Sequence, residues 1–315
     1  MPVSSLLLAA GRGTRLRPLT DSLAKPALPL LDLPLGAFGL TALLRDCPPV
    51  AVNVSHLSNT VARALRVFAG EGGFELLVEP EPLGSGGTVG DLQERVGKRL
   101  VTYNADLLAG LSVADVIEAH ERTGAPVTAA VARVDGGADL ELEHGRVASF
   151  VDRRKQADRA GARFLGAAVI ERGAIDFIPD KRPVDLAEGL LRPAAERGQL
   201  AVFVHDSYAL DVGTPRAYLQ ASIDLLSGEG PRPPAPLPGE IVEVAGGRAY
   251  VGPGARVPQD AIGPGAVVLR GASVGEGARV ERALVWPHEQ VPGGEHVVDA
   301  IWALGTSLPA PESGR

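Results

Sequence analysis

Apolar and polar positions follow two different rhythms along this chain, and the rhythm changes near residue 240. Before it, short apolar runs of strand length alternate with segments whose apolar positions fall on one helical face. Val3–Ala10 predicts a buried strand and Leu35–Arg45 a helix. Val50–Ser55 predicts a strand, Thr60–Phe68 a helix, Phe74–Glu79 a strand and Gly87–Val96 a helix. Leu100–Asn104 reads as a further buried strand, Ser112–Arg122 as an amphipathic helix and Pro126–Val134 as the strand after it. Such alternation predicts an α/β fold, a mostly parallel sheet with helices on both faces. Ligands of open sheets of this kind sit beyond the carboxyl ends of the strands. The loops after Ala10, Glu79 and Asn104 are therefore the places to look for chemistry.

The stretch "SGEGPRPPAPLPG" over 227–239 has little scope for helix or ladder hydrogen bonds and reads as a semi-rigid linker. Beyond it, aliphatic residues recur about every six positions, at Val251, Val257, Ile262, Val268, Val274, Val280, Val285, Val291 and Val297. "VGPG", "IGPG" and "VGEG" open similar turns. One inward aliphatic per six residues, with glycine at the bends, is what a triangular β-helix requires; each coil buries its apolar positions only by stacking on the next. A run of hairpins with coincidental spacing is the alternative. The expected organisation is an α/β domain over 1–226, the linker over 227–239, a β-helix over 240–308 and a disordered tail over 309–315.

The formal net charge is -7 over 315 residues, which argues against general nucleic-acid or anionic-membrane binding. A polyanion would have to be held by a local cluster of cations. The single cysteine, Cys47, excludes an intramolecular disulfide and fits a reducing, cytoplasmic setting. No apolar run approaches the roughly 20 residues of a membrane span.

One such cluster of cations exists. "LLLAAGRGTRLRPLTDSLAKPALPL", Leu6 to Leu30, follows a predicted strand with glycines, three arginines and one of only four lysines in the chain. A dinucleotide turn and a Walker loop both need glycine where Leu16 stands, so both readings fail. The first of these failures removes a nicotinamide-dependent oxidoreductase from consideration. What remains is a turn in which Gly11 and Gly13 let backbone N–H groups converge on an anion. Arg12, Arg15, Arg17 and Lys25 supply the charge.

"AAGRGTRLRPLTDSLAKPALPL" resembles the signature of the sugar-1-phosphate nucleotidylyltransferases. Further matches follow in the family's order: "VNVSHLSNTV", "EPEPLGSGG", "LVTYNADLL" and "YALDVGTPRAYLQAS". The repeats after Gly239 resemble the left-handed β-helix of hexapeptide repeats appended to many members. Within the family, the look is nearest to mannose-1-phosphate guanylyltransferase-like proteins. The resemblance implies a Rossmann-like catalytic sheet and transfer of a nucleoside monophosphate from a triphosphate to a sugar-1-phosphate, with Mg²⁺ as cofactor. It assigns nucleotide contacts to Ala10, Gly11, Gly13, Thr14, Arg15, Glu79, Gly84 and Ser85. Arg15 would hold the departing pyrophosphate and Lys25 would bridge the α-phosphate and the sugar phosphate. Asp106 and Asp211 would be the magnesium carboxylates. Asp152, Arg153 and Gly166 would line the sugar phosphate pocket, with Lys25.

Three departures qualify this. Ala105 stands where the family generally has glycine, which would disturb the metal site if positive φ or close ligand approach were needed there. Asp152–Arg153–Arg154 replaces the family's E-K-P segment, and both a sugar contact and a surface role fit it. Tyr208 lies near a position where the family often has tryptophan. Glu79 and Glu81 fit either base contact or solvent, so the base stays open among guanine, uracil, thymine and adenine. A thymidylyl- or uridylyltransferase for glucose-1-phosphate, or a non-catalytic homologue that binds nucleotide-sugar, are the alternatives. The six histidines show no metal spacing. For the β-helix, stabilisation or a homo-oligomer contact is expected.

Overall fold

The computed structural model describes residues 2–70, 73–143, 146–150 and 159–310. They form two compact units. The first holds residues up to Arg12, Gly39–Leu107 and Leu111–Ala209; the second holds Gly13–Phe38, Leu108–Gly110 and residues from Leu210 onward.

The first unit is built on a nine-stranded sheet. Its parallel half runs in the order Val96–Asn104, Val3–Leu8, Val50–Val54, Glu75–Val78. Interior parallel strands are covered on both faces and so need near-continuous apolar runs. Val3, Leu6 and Leu7 and the whole of Val50–Val54 are accordingly buried. Buried Ser5 is accommodated because its hydroxyl donates to the Cys47 carbonyl at 2.8 Å. The other half turns antiparallel at Gly161–Glu171, which pairs with Val96–Asn104 and with Val127–Val134. The expected mostly parallel sheet with helices is thus present, extended by these antiparallel strands.

The expected helices are present, one of them with clear caps at both ends. Val113–Thr123 opens on Ser112, whose hydroxyl accepts from the Asp115 N–H at 3.2 Å, and closes on Gly124 in the left-handed region. Ser58–Ala69 buries Val61, Ala62 and Leu65 on one stripe. One expectation is corrected. The helix predicted over Gly87–Val96 is the shorter Ser85–Asp91, followed by a tight turn at Gln93–Arg95. Val96 belongs to the next strand, pairing with Val3. Three glycines in that helix weaken its propensity, and burial of Val96 against the sheet core decides the outcome.

In the second unit the six-residue rhythm is explained. Strand partners lie seventeen positions apart, as in Tyr250 with Val267, Val267 with Leu284 and Leu284 with Ile301. Three parallel faces result, with Ser273–Val274 on Gln290–Val291 and Arg279–Glu281 on His296–Val298 forming the second and third. Seventeen is one short of three sixes, so one step per coil is five residues, as from Val257 to Ile262 and from Val280 to Val285. The apolar residues stack as columns, one of them Val251, Val268 and Val285 continued by the aromatic Trp302. This is the expected β-helix. Among the described residues, hairpins occur in this region only at its two ends, Glu240–Val244 with Gly247–Val251 and Ala300–Ala303 with Thr306–Pro309. Pro309 ends the last strand and Ala310 is buried; residues 311–315 lie outside those described.

Glycine at a bend is required where coils touch: a Cβ on Gly275 would lie 2.5 Å from the Gly293 backbone nitrogen. Val285→Ala should lose about 2 kcal/mol, from two buried methyls and the void they leave. Urea unfolding of the two proteins checks this; equal midpoints would deny that the column carries the stack.

Candidate active site

In the first unit the carboxyl ends of the parallel strands meet at a buried polar cluster. Asn53, the one polar residue of its strand, accepts the Ala9 N–H at 2.7 Å and donates from Nδ2 to Glu79 Oε1 and Thr88 Oγ1, at 2.8 and 3.0 Å. Thr88 also donates to Glu79 Oε1 at 2.6 Å, and Glu79 Oε2 accepts the Leu83 N–H at 3.1 Å. The Asn53, Glu79 and Thr88 side chains are all buried. Hydrogen-bonded completeness is what makes such a cluster tolerable in the interior. It ties the loop that begins at Ala9, just past the Val3–Leu8 strand, to Glu79 and to the helix Ser85–Asp91 that the following loop leads into.

The end of that loop and the first turn of the helix Ser85–Asp91 are clamped from behind. Gly86 and Gly87 both donate their N–H groups to the Val184 carbonyl, at 3.0 and 3.1 Å, while Val184 donates to Leu83 O. Gly84 has φ +79, and a Cβ there would fall 2.4 Å from the Val184 oxygen. Ser85 Oγ accepts the Leu186 N–H at 2.8 Å.

These loops line a cavity of ≈ 420 Å³, which includes Ala10, Gly11, Glu79, Ser85, Asn104 and Asp106. Gly11 is exposed and a Cβ on it would meet nothing, so no packing inside the protein demands glycine there. The open backbone faces space a ligand can use. Gly166, at φ +90, permits Asn104 to lie against its strand, since a Cβ would come within 2.4 Å of Asn104 Nδ2. Ala105 has no positive φ, is buried, and donates its N–H to Leu8 O at 3.0 Å. Alanine therefore meets no backbone strain at this position. A larger cleft of ≈ 720 Å³, with Lys98, His120, Glu171 and Phe177 on its walls, holds none of the expected residues. It lies where Val96–Asn104 and Val127–Val134 begin, at the opposite strand ends. His120 there is a buried structural histidine between Thr128 Oγ1 and Glu171 Oε1, at 2.9 and 3.0 Å.

Of the four clustered cations, Arg12 lines the cavity of the first unit, and Arg15, Arg17 and Lys25 lie in the second. Gly13, at φ +62, turns the chain, and Thr20 closes the turn by donating to the Gly13 carbonyl at 2.8 Å. Thr14 and Arg15 are exposed on the turn that follows. Lys25 is only 8% exposed, and its Nζ lies 3.6 Å from Asp211 Oδ1. Arg15 Nη2 lies 3.9 Å from Asp211 Oδ2. Gly213 makes this possible: a Cβ on it would lie 2.6 Å from Arg15 Nη2. Both Arg15 and Asp211 are largely exposed, so their mutual attraction contributes little to stability. The arrangement instead keeps a guanidinium, an ammonium and a carboxylate together and reachable by a ligand.

The expected residues therefore fall into two sets. Ala10, Gly11, Glu79, Gly84, Ser85 and Asp106 share the cavity walls of the first unit, with Gly166 behind Asn104. Gly13, Thr14, Arg15, Lys25 and Asp211 share the second. Asp152 and Arg153 lie outside the described residues. Sequence reasoning missed Asn53, Thr88 and Gly213. A lone asparagine inside the apolar run "VAVNV" was the available signal for the first; nothing local marks the others.

Residues 4–228 match the model of the nucleotidyl transferase family. The mannose-1-phosphate guanylyltransferase of Mycobacterium tuberculosis is 32% identical over 93% of this chain and 82% of its own length. The mannose-1-phosphate guanyltransferase of Candida albicans is 28% identical over 96% of this chain and 85% of its own. Among solved structures, a putative glucose-1-phosphate thymidylyltransferase from Bacillus anthracis superposes with TM-score 0.60 at 17% identity, over 70% of this chain and 94% of that one. That likeness concerns the fold alone. The chain belongs to the nucleotidyl transferase family, as its glycine-loop motif implied.

Asn53→Ala would leave the Ala9 N–H and one Glu79 bond unmet in the interior. It should destabilise the protein by about 2 kcal/mol or more. Denaturant unfolding tests this; an unchanged midpoint would show that the cluster does not hold the two loops.

Proposed function

We propose that this protein is an enzyme that transfers GMP from GTP to mannose-1-phosphate, releasing pyrophosphate and forming GDP-mannose. The observation that carries this reading is the likeness to the mycobacterial mannose-1-phosphate guanylyltransferase across 93% of the chain. The Arg15–Asp211–Lys25 cluster supports it chemically.

In-line attack of one phosphate ester on another brings like charges together, and the protein needs only to orient the reactants and neutralise charge. Lys25, a point charge on a largely buried stem, suits the oxygens between the α-phosphate and the sugar phosphate. Arg15, a planar fork open to solvent, suits the departing pyrophosphate. Backbone N–H groups around Gly11 and Gly13 suit the remaining phosphate oxygens. The walls formed by Pro82, Gly84 and Ser85 suit the flat base, and Gly166 with Asn104 suits the sugar. Asp152 and Arg153 remain candidates for sugar contact.

Magnesium fits under one condition. No group of three or more His, Cys, Asp or Glu side chains suited to a metal occurs among the described residues. Asp211 also has two cations within 4 Å, which oppose a bare divalent ion. A magnesium already carried by triphosphate is net negative, and such an ion needs only one or two protein carboxylates. Asp106 and Asp211 are the candidates to hold it, and the ion would supply charge neutralisation at the phosphates. Calorimetry should accordingly detect Mg²⁺ binding with GTP present and almost none without. Tight binding of the metal alone would contradict this reading.

A cytoplasmic location suits these substrates, and no described helix is long and apolar enough to cross a membrane. A self-association surface on the β-helix remains part of the proposal.

The deciding test is pyrophosphate release from each common triphosphate crossed with mannose-, glucose- and amino-sugar-1-phosphates. GTP with mannose-1-phosphate should be fastest. Lys25→Ala should slow it about 10³-fold, equivalent to about 4 kcal/mol of transition-state stabilisation. Preference for UTP or dTTP would overturn the guanylyl assignment, and binding without turnover of any pair would make this a regulatory homologue.

A further inference from the structure

Shortly after Lys25 the chain makes a turn that its own sequence disfavours. Leu30 pairs with Leu33, leaving Leu31 and Asp32 as the two central residues, with φ +46 and +63. Turns with both central φ values positive are normally built from asparagine or aspartate followed by glycine. Leucine in the left-handed region is strained, and such strain persists only where the surroundings over-determine it.

The surroundings here are the β-helix. The Asp32 carboxylate accepts the Tyr250 hydroxyl at 3.0 Å and the Arg270 backbone N–H at 3.0 and 3.2 Å. Gly252 leaves the room, since a Cβ there would fall 2.4 Å from Asp32 Oδ2. A second anchor lies a few residues earlier. The buried Tyr218 hydroxyl donates to the Pro29 carbonyl at 2.7 Å and accepts Trp286 Nε1–H, from the β-helix, at 3.3 Å. Between these anchors and Lys25 there is little slack. Leu28 donates to the Lys25 carbonyl at 3.1 Å, and Leu35 donates to the Leu28 carbonyl at 2.9 Å. All of these residues lie in the second compact unit, with Lys25 itself.

We propose that Asp32 and Tyr250 are positioning residues through which the β-helix holds the Lys25 segment in place for phosphate transfer. This rests on the reading of Lys25 given above. The β-helix then serves turnover directly, by fixing where a catalytic ammonium sits. A brace that merely stabilised the fold would not act through one particular side chain, and this difference can be measured.

The experiment is a double-mutant cycle on the full chain. Asp32→Asn and Tyr250→Phe are each made alone and together with Lys25→Ala, and pyrophosphate release from GTP and mannose-1-phosphate is followed for every variant. With Lys25 present, each substitution should lower kcat about ten- to hundredfold while KM for GTP stays within about twofold. On the Lys25→Ala background the same substitution should change the rate less than about twofold, because no ammonium is left to misplace. Tyr250→Phe removes one hydroxyl and retains the ring, which keeps the test available should Asp32→Asn fail to fold. Equal losses on both backgrounds, or full kcat in Tyr250→Phe, would overturn the proposal. A wild-type protein inert toward every substrate pair would instead remove the functional reading, and this inference with it.

Discussion

A lysine ammonium withdrawn from solvent in an acidic protein is the constraint on which much of the second unit depends. Burying a cation costs free energy unless anionic or hydrogen-bonding partners replace water. Asp211 supplies one partner, and the exposure of Asp211 and Arg15 leaves the cluster open to a ligand that brings more negative charge. Lys25 is therefore fixed on a stiff segment, with Pro26 beside it, while the groups around it stay accessible. Charge is concentrated locally even though the molecule as a whole carries -7.

The first unit solves a different problem. A cavity at the carboxyl ends of strands needs connecting segments that do not wander, yet loops lack ladder hydrogen bonds. Asn53, Glu79 and Thr88 meet this with a closed set of buried polar contacts beneath the cavity. Val184 meets it from behind by accepting two glycine N–H groups. Glu79 serves both the cavity wall and this buried set of contacts. It lines the cavity, but both its oxygens already accept bonds from the protein.

The strands of the parallel half, most helix positions and the coil repeat were legible in the chain, because each depends on local periodicity. The glycine loop, Lys25, Asp106 and Asp211 stood out as candidates because the segments around them resemble the family's motifs in the family's order. Asn53 and Gly213 were not, since their roles depend on groups far away in sequence: Ala9, Glu79 and Thr88 for one, Arg15 for the other. The helix expected over 87–96 stopped early for a similar reason. Its last residue was claimed by a strand pairing with Val3.

By itself, then, the amino-acid order determined which segments favour strand, helix or coil, and which side chains are suited to phosphate chemistry. Binary pattern, glycine placement and clustered charge act over a few residues and survive without a fold. Only the tertiary structure decided that residues 13–38 pack with the β-helix in one compact unit, and that a strained turn beside Lys25 is held by Tyr250 and Arg270. Contacts such as these, 218 and 238 positions apart, depend on how whole elements stack, and no local pattern encodes that.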